Sequence, residues 1–203
     1  MSPPVREYLD GEVGCALEVV TTLAPRLIAS VRDARVGRAV ADWVAARTAT
    51  SFDVDLIDLA EVDLPEDRLL QPGGGVPTPI TDRIADAHGY LVVTPEYNHS
   101  FPASLKRAID WHCGEWMFKA ATVVSYGAQG GGLATEHLRG VFAELHVVTT
   151  RRGLGLRAPW THLQEGVFAP PEGTCEVLDG ALVELGWWTR ALRRARAEHP
   201  LPR

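Results

Sequence analysis

The chain has 203 residues, of which 46% are hydrophobic and 23% charged, so it is long enough to bury the core of one ordinary globular domain. A formal net charge of −6 without an offsetting basic stripe argues against a nucleic-acid partner, and no apolar run reaches the length of a membrane-spanning helix. Cys15, Cys113 and Cys175 lie far apart with no CxxC pair, which argues against a disulfide framework or a zinc-binding motif. Because the sequence also shows no secretory signal pattern, we predict that the protein works in the reducing cytoplasm.

Strands and helices are predicted to alternate along one single domain, residues 25–203, after a weakly patterned and variable lead-in at residues 1–24. The first half contains a first strand with its exit loop (25–30), a helix with one apolar stripe (36–45), a half-exposed edge strand (53–59), a loop rich in Pro and Gly (61–78) and a short helix (82–88). The second half contains a buried strand (90–93), a helix (101–112) with Ser100 as its expected cap, a second buried strand (120–125), a helix (138–145), a fifth strand (146–149), a loop (153–174) and a closing helix (178–192).

This alternation indicates an α/β fold with a parallel sheet, right-handed crossovers and helices on both faces. The half-exposed edge strand is second in the chain, so we expect the five-stranded order 2-1-3-4-5 of a flavodoxin-like three-layer sandwich. In that order the first, third and fourth strands are neighbours. Because such sheets bind ligands at the carboxyl ends of their strands, the loops after these three strands form the candidate site.

The loop after the first strand covers residues 30–38 and runs into the start of a helix. Free backbone N–H groups and the positive end of the helix dipole favour a phosphate there, with Ser30 donating a hydroxyl and Arg32 and Arg35 adding charge. The loop has neither the GxxxxGK[ST] nor the GxGxxG pattern. A solvated, Arg-rich turn is the alternative interpretation of this loop.

The loop after the third strand, residues 95–102, is constrained by two prolines and by Asn98, a residue suited to tight turns. It could present N–H groups and the flat side chains of Tyr97 and His99 to an aromatic ligand. Glu96 has no second carboxylate nearby in the sequence for acid–base chemistry, so we expect it to brace the loop. His99 is expected to be a polar wall residue rather than a proton donor.

The loop after the fourth strand, residues 125–132, carries four glycines within the six residues that begin at Gly127. Glycine allows the backbone to approach a ligand closely, although it serves ordinary tight turns equally well. A turn without a ligand is therefore the alternative here. We expect the three loops to converge on a single ligand.

Three motifs resemble those of one family. The sequence Pro95-Glu96-Tyr97-Asn98-His99-Ser100, followed by Leu105-Lys106-Arg107-Ala108-Ile109-Asp110-Trp111, closely resembles the signature of the NADPH-dependent FMN reductase family. The first loop, with Ala29-Ser30-Val31-Arg32 and Arg35-Val36-Gly37, is similar to that family's phosphate loop. The third loop, with Val124-Ser125-Tyr126-Gly127, Gly131-Gly132-Leu133 and Leu138-Arg139, is similar to its counterpart in the family. The resemblance covers about residues 26–150.

The resemblance implies a flavodoxin-like protein with bound FMN and with NADPH or NADH as co-substrate. It implies that the first loop binds the phosphate through Ser30, Arg32, Arg35, Val36 and Gly37. It implies that the second loop lines the edge of the isoalloxazine ring with Pro95, Glu96, Tyr97 and Asn98. The third loop is implied to cover another part of the ring with Ser125, Tyr126 and Gly127. Because the cofactor carries the hard chemistry, no catalytic side chain and no metal are expected. The family also implies a homodimer or homotetramer, with Trp116, Trp160, Trp187 and Trp188 as interface anchors or, alternatively, as core residues.

The predicted function is that of an NAD(P)H-dependent oxidoreductase. Hydride passes from the nicotinamide to FMN, and the electrons go on to a small-molecule acceptor such as a flavin, a quinone or an azo compound. Two alternatives stay open, namely a flavodoxin-like electron carrier and a dedicated redox step on one specialised metabolite. Carriers of this fold usually surround the flavin with acidic residues, whereas Arg32, Arg35, Lys106 and Arg107 favour an anionic dinucleotide. No local pattern selects NADPH over NADH.

Overall fold

The structure, a computed structural model, describes residues 26–33, 35–49 and 52–200. The predicted lead-in at residues 1–24, Pro25 of the predicted first strand and Ala34 of the first loop lie outside the described residues. The described strands of the main sheet are β1 (Arg26–Ile28), β2 (Leu56–Asp58), β3 (Gly89–Pro95), β4 (Ala120–Gly127), β5 (Val148–Thr149) and β6 (Leu154–Arg157). A separate antiparallel hairpin consists of β7 (Leu163–Gln164) and β8 (Val167–Phe168).

The strand order is β2-β1-β3-β4-β5 with every neighbouring pair parallel, which confirms the predicted order 2-1-3-4-5. Every residue of β3 and β4 is buried, as expected for apolar runs in a parallel sheet whose two faces are both covered. The register of these two strands runs from Gly89 opposite Ala120 to Pro95 opposite Tyr126. The two strands therefore end side by side, and their exit loops begin as neighbours.

Helices pack on both faces of the sheet and complete the predicted three layers. One face carries α1 (Gly37–Thr48) and α6 (Thr174–Glu198), and the other carries α2 (Thr81–Asp86), α3 (Ala103–Trp111), α4 (Cys113–Trp116) and α5 (Gly132–Glu144). Successive residues of each strand point to opposite faces, so Leu27 and Val92 pack on the α3–α5 side while Ile28 and Val93 pack on the α1–α6 side. Among the helices of the described ranges, none has both the length and the apolar content needed to cross a membrane.

The region predicted as a loop over residues 153–174 contains regular structure, so that prediction is wrong. β6 pairs with β4 beyond the end of β5, because β5 lies opposite residues 120–121 and β6 opposite residues 124–127. Two short strands separated by residues 150–153 thus occupy the fifth position of the sheet. After β6 come a 3-10 turn (Pro159–His162) and the β7–β8 hairpin. Burial alternates residue by residue along β6, and the sequence carries this period-two signal.

Three smaller features also differ from their predictions. The edge strand is three residues long, and Asp58 at its end is buried. The helix predicted over residues 82–88 is α2, which begins at Thr81 and ends at Asp86. The residue preceding α3 is Pro102, and no side chain caps this helix. Ser100 is therefore not its cap, and the hydroxyl of Ser100 lies instead 3.1 Å from Nδ1 of His137.

Candidate functional site

The loops after β1, β3 and β4 meet at one edge of the sheet and line an open cleft of about 680 Å³, a volume typical of cofactor sites. Nine residues proposed from the sequence line this cleft, namely Ser30, Arg32, Arg35, Val36, Pro95, Glu96, Tyr97, Tyr126 and Gly127. Gly37, Asn98 and Ser125 were also proposed but are not lining residues. The cleft has four further lining residues that sequence reasoning missed: Asp33, Ala128, Trp160 and Leu163. The three loops therefore meet at one cleft, and their convergence on a single ligand stays a prediction.

The start of α1 points hydrogen-bond donors toward this cleft. Val36 precedes the helix and lines the cleft, and among the residues that the structure describes no side chain caps the helix at this end. The first N–H groups of any α-helix lack an intrahelical acceptor, and the helix dipole gives this end a partial positive charge. The guanidinium of Arg32, an exposed residue, lies nearby at 3.9 Å from the ring centroid of Tyr97. This end of the cleft is therefore suited to an anionic group.

Arg35 has a different environment from Arg32. Its two terminal nitrogens donate to the two carboxylate oxygens of Asp58 at 2.5 and 2.6 Å, and one of them also donates to the carbonyl of Ser30 at 2.5 Å. The Arg35 side chain is 14% exposed and that of Asp58 only 1% exposed. Because a buried carboxylate already neutralises its charge, Arg35 shapes the first loop, and Arg32 is the arginine whose charge faces the cleft.

A buried hydroxyl without a partner lies under the same loop. The phenol oxygen of Tyr126 makes no hydrogen bond within the described residues. A Cβ placed on Gly37 would lie 2.4 Å from this oxygen and 3.3 Å from Cβ of Ser30, so only glycine leaves room for both side chains. Burial raises the pKa of Tyr126 well above its ordinary value of 10, so the phenol stays protonated and can donate. Buried hydroxyls usually have a partner, and the neighbouring hydroxyl of Ser30 is the group that a small adjustment of the loop would bring into hydrogen-bonding geometry.

The second loop is a tight turn from Tyr97 to Ser100, closed by two backbone hydrogen bonds of 2.8 and 3.1 Å. Asn98 and His99 both have positive φ values, 49° and 67°, which is the conformation of a type I′ turn and explains why Asn suits this position. Both residues are exposed at the tip of the turn. The hydroxyl of Tyr97 lies 3.2 Å from that of Ser30, so this turn also connects the second loop to the first.

Glu96 braces the site, as predicted. Its carboxylate accepts hydrogen bonds from the N–H groups of Leu133 and Ala134, at 3.0 and 3.4 Å, and so caps the start of α5. Its own N–H donates to the carbonyl of Tyr126 at 2.8 Å. The start of α5 is thus satisfied by the protein itself, whereas the start of α1 has no such cap. Of the two helix starts, that of α1 is therefore the one better suited to an anion.

The glycines of the third loop have structural roles as well as a place beside the cleft. Ser125 is buried and donates its hydroxyl to the carbonyl of Gly130 at 3.1 Å. Gly131 has a φ of 78°, and a Cβ there would lie 2.7 Å from both Cβ of Ser125 and the backbone nitrogen of Tyr126. Gly127 accepts a hydrogen bond on its carbonyl from Ala158 at 2.8 Å. The third loop is therefore tightly packed against the segment that follows β6.

Comparisons with known proteins agree with this geometry. Residues 26–159 match the family described as NADPH-dependent FMN reductase. The chain is 32% identical over 170 residues to an NAD(P)H-dependent FMN reductase of Schizosaccharomyces pombe, covering 75% of this chain and 83% of that protein. It is 33% identical over 129 residues to a 2-hydroxy-1,4-benzoquinone reductase of a Burkholderia species, covering 60% of this chain and 70% of that protein. Among solved structures, the chain is similar to the flavoenzyme NAD(P)H:(acceptor) oxidoreductase FerB of Paracoccus denitrificans, with a TM-score of 0.69 and 21% identity. The superposition covers 84% of this chain and 98% of FerB, and it shows the fold.

Proposed function

Because this chain belongs to the NADPH-dependent FMN reductase family, we propose that its cleft binds one FMN through the three loops described above and serves a small-molecule electron acceptor. The protein is an NAD(P)H-dependent flavin oxidoreductase. The observation that carries the assignment of the cleft is the start of α1, which no described side chain caps and which lies beside the exposed guanidinium of Arg32. Both features suit a cofactor that ends in a phosphate.

The phosphate end of the cofactor would lie on the first loop. Ser30 offers a hydroxyl, Arg32 a free positive charge, and Val36 and Gly37 the N–H groups at the start of α1. Arg35 contributes by fixing the carbonyl of Ser30 and the course of the loop. This division of roles makes the phosphate site depend on one exposed arginine, on the helix dipole and on the missing side chain of Gly37.

The ring end of the cofactor would lie on the second and third loops, against Pro95, Glu96, Tyr97, Asn98, Ser125, Tyr126 and Gly127. When bound, FMN supplies the redox chemistry by accepting a hydride from the nicotinamide and passing two electrons to the acceptor. The side chains would position the ring. The carboxylate of Glu96 is engaged by the start of α5, so it is held away from acid–base chemistry at the ring. The balanced reaction with a quinone is NAD(P)H + H⁺ + quinone → NAD(P)⁺ + hydroquinone, in which the nicotinamide supplies a hydride and the solvent supplies the one proton.

Anaerobic titration of the purified holoprotein with NADPH and, separately, with NADH tests the assignment. We expect a yellow protein whose flavin absorbance bleaches with at least one donor and returns when a flavin, a quinone or an azo compound is added. A protein that binds FMN but bleaches with neither donor would instead be an electron carrier. A colourless preparation that does not bind added FMN would overturn the assignment of the cleft.

We further propose that the protein acts in the cytoplasm as a homodimer or homotetramer. Two observations support this proposal. Cys113 and Cys175 are free thiols, as is usual in a reducing compartment. The side chains of Trp187 and Val183 on α6 are 57% and 66% exposed, and exposed tryptophans are common anchors of interfaces. Trp116 is fully buried and belongs to the core. Light scattering coupled to size-exclusion chromatography would test the assembly, and a monomer would contradict it.

A further inference from the structure

The segment after β6 supplies an apolar wall to the cleft. Trp160, in the 3-10 turn, and Leu163, in β7, both line the cleft, with 51% and 36% of their surface exposed. Both lie beyond residue 159, where the match to the family ends. A half-exposed indole in a cleft keeps a large apolar face available for contact with a ligand.

The backbone around Trp160 is held in place at several points. Ala158 donates its N–H to the carbonyl of Gly127 at 2.8 Å and adopts a left-handed φ of 44°. Such a conformation is uncommon for a residue other than glycine and is often found at functional sites. Thr161 donates both its N–H and its hydroxyl to the carbonyl of Ala158, at 3.0 and 2.8 Å. On the far side, Phe168 of β8 is buried. The indole is thus presented by a fixed turn.

The order of strands determines which end of the cleft this wall occupies. β1, β3, β4 and β6 are successive neighbours, so the ends of β1 and β6 are three strand spacings apart, about 14 Å at roughly 4.8 Å each. The proposed phosphate loop follows β1, and Trp160 follows β6. Trp160 therefore lies at the ring end of the cleft. An acceptor must approach the face of the ring, and this approach brings it next to the indole.

We propose that Trp160 stacks on the ring of the electron acceptor and, together with Leu163, selects flat quinone-type acceptors. This inference rests on the proposed function, because the acceptor takes its electrons from a cofactor in the cleft. Two aromatic rings gain from offset stacking beyond the burial of their area. A small hydrated anion such as ferricyanide has no flat face to stack, so its reduction does not need the indole.

The test compares the holoprotein with its Trp160→Ala and Trp160→Phe variants, using menadione and ferricyanide as acceptors at saturating NAD(P)H. We expect Trp160→Ala to raise the KM for menadione roughly five- to twentyfold. Trp160→Phe keeps an aromatic ring and should bring this KM most of the way back to the wild-type value. The rate of ferricyanide reduction should change less than about twofold in either variant. Leu163→Ala should raise the KM for menadione by a smaller factor. Leu69→Ala, which removes an exposed leucine that does not line the cleft, is the matched control for Leu163→Ala.

The outcomes separate this inference from the function on which it rests. An unchanged KM for menadione in Trp160→Ala, or an equal loss with both acceptors, would overturn the role of Trp160 while leaving the oxidoreductase assignment intact. A wild-type holoprotein that oxidises no NAD(P)H with any acceptor would overturn both. The FMN content and the far-ultraviolet circular dichroism of each variant confirm that the comparison is made between folded, loaded proteins.

Discussion

Arg32 and Arg35 lie three positions apart in the same loop, but their guanidinium groups have different surroundings. Arg35 is engaged by the buried carboxylate of Asp58 and by the carbonyl of Ser30. Arg32 is exposed and lies over the face of Tyr97. A buried ion pair contributes mainly when it is intact, because removing one partner leaves the other charge buried and unpaired. The two arginines should therefore affect different measurements.

We expect Arg35→Ala to lower the free energy of unfolding by about 2 kcal/mol, since the buried Asp58 carboxylate then keeps only the more distant guanidinium of Arg38, at 3.7 Å. Arg32→Ala should change that free energy by less than about 0.5 kcal/mol and weaken FMN binding roughly five- to tenfold. Urea denaturation and fluorescence titration measure the two effects. Riboflavin, which lacks the phosphate, is the control, and its affinity should not respond to Arg32→Ala. The reverse pattern, with Arg32 governing stability, would contradict this division.

Gly37 tests the close packing under the phosphate loop. Gly37→Ala would place a methyl group 2.4 Å from the Tyr126 phenol oxygen, so the loop must shift, and we expect FMN binding to weaken at least about tenfold. Tyr126→Phe removes that oxygen and leaves the nearest ring carbon 3.4 Å from the new methyl group. In the double variant, FMN affinity should therefore return to that of Tyr126→Phe alone, a non-additivity measured by a double-mutant cycle. Additive losses would show that the two positions do not clash.

Among the larger elements, the loop over residues 61–78 is held against α3 although it has almost no regular structure. Trp111 donates its indole N–H to the carbonyl of Val76 at 2.9 Å and accepts a hydrogen bond from the N–H of Gly75 at 2.9 Å. His112 adds a contact through its ring, with Nδ1 2.8 Å from the carbonyl of Ala108 and Nε2 2.7 Å from the hydroxyl of Thr78. Because a carbonyl can only accept, Nδ1 carries the proton and Nε2 accepts from Thr78.

This arrangement predicts a pH dependence of stability. Burial lowers the pKa of His112 below its ordinary value of 6.5, so the folded state favours the neutral ring. The contribution of His112 is then complete above the unfolded pKa and is lost as the pH falls from about 6.5 toward the folded pKa. His112→Gln cannot titrate, so the difference in unfolding free energy between wild type and variant should shrink between about pH 7.5 and pH 5. A difference that stays constant over this range would show that His112 does not titrate with unfolding.

The elements also show how far the sequence could predict the structure. The strand order, the buried pair β3 and β4 and the three converging loops followed from apolar periodicity, and these features depend on local pattern and general topology. The role of Arg35 could not be predicted, because its partner Asp58 lies 23 positions away and only the parallel pairing of β1 with β2 brings them together. The sequence predicted Trp160 only as an interface anchor or a core residue. Its place in the cleft was missed for the same reason, because it depends on β6, the short strand that pairs with β4 beyond the end of β5.

At the scale of the whole molecule, the proposed cofactor would bridge three loops that leave three neighbouring strands. The net charge of the chain is −6, and Asp33 lines the cleft beside Arg32, so the start of α1 and Arg32 would bind the phosphate next to a carboxylate. A ligand that binds the folded state and not the unfolded chain stabilises the fold by an amount set by its concentration relative to its Kd. The stability of the entire domain should therefore report on occupation of this one cleft.

We expect FMN at about 100 times its Kd to raise the free energy of unfolding by about 2.7 kcal/mol, which for a chain of this size corresponds to an increase in Tm of roughly 5–10 °C. Differential scanning calorimetry of the protein with its cofactor removed measures the shift.

At the same total concentration, riboflavin should give a smaller increase in Tm because it lacks the phosphate that the start of α1 and Arg32 would hold. Inorganic phosphate alone should give almost no increase. Equal shifts for FMN and riboflavin would mean that the first loop does not bind the phosphate, and no shift for either would mean that the cleft does not bind flavin. Repeating the measurement with Arg32→Ala should reduce the FMN shift but leave it above that of riboflavin, because this change removes the exposed charge while the start of α1 can still bind the phosphate.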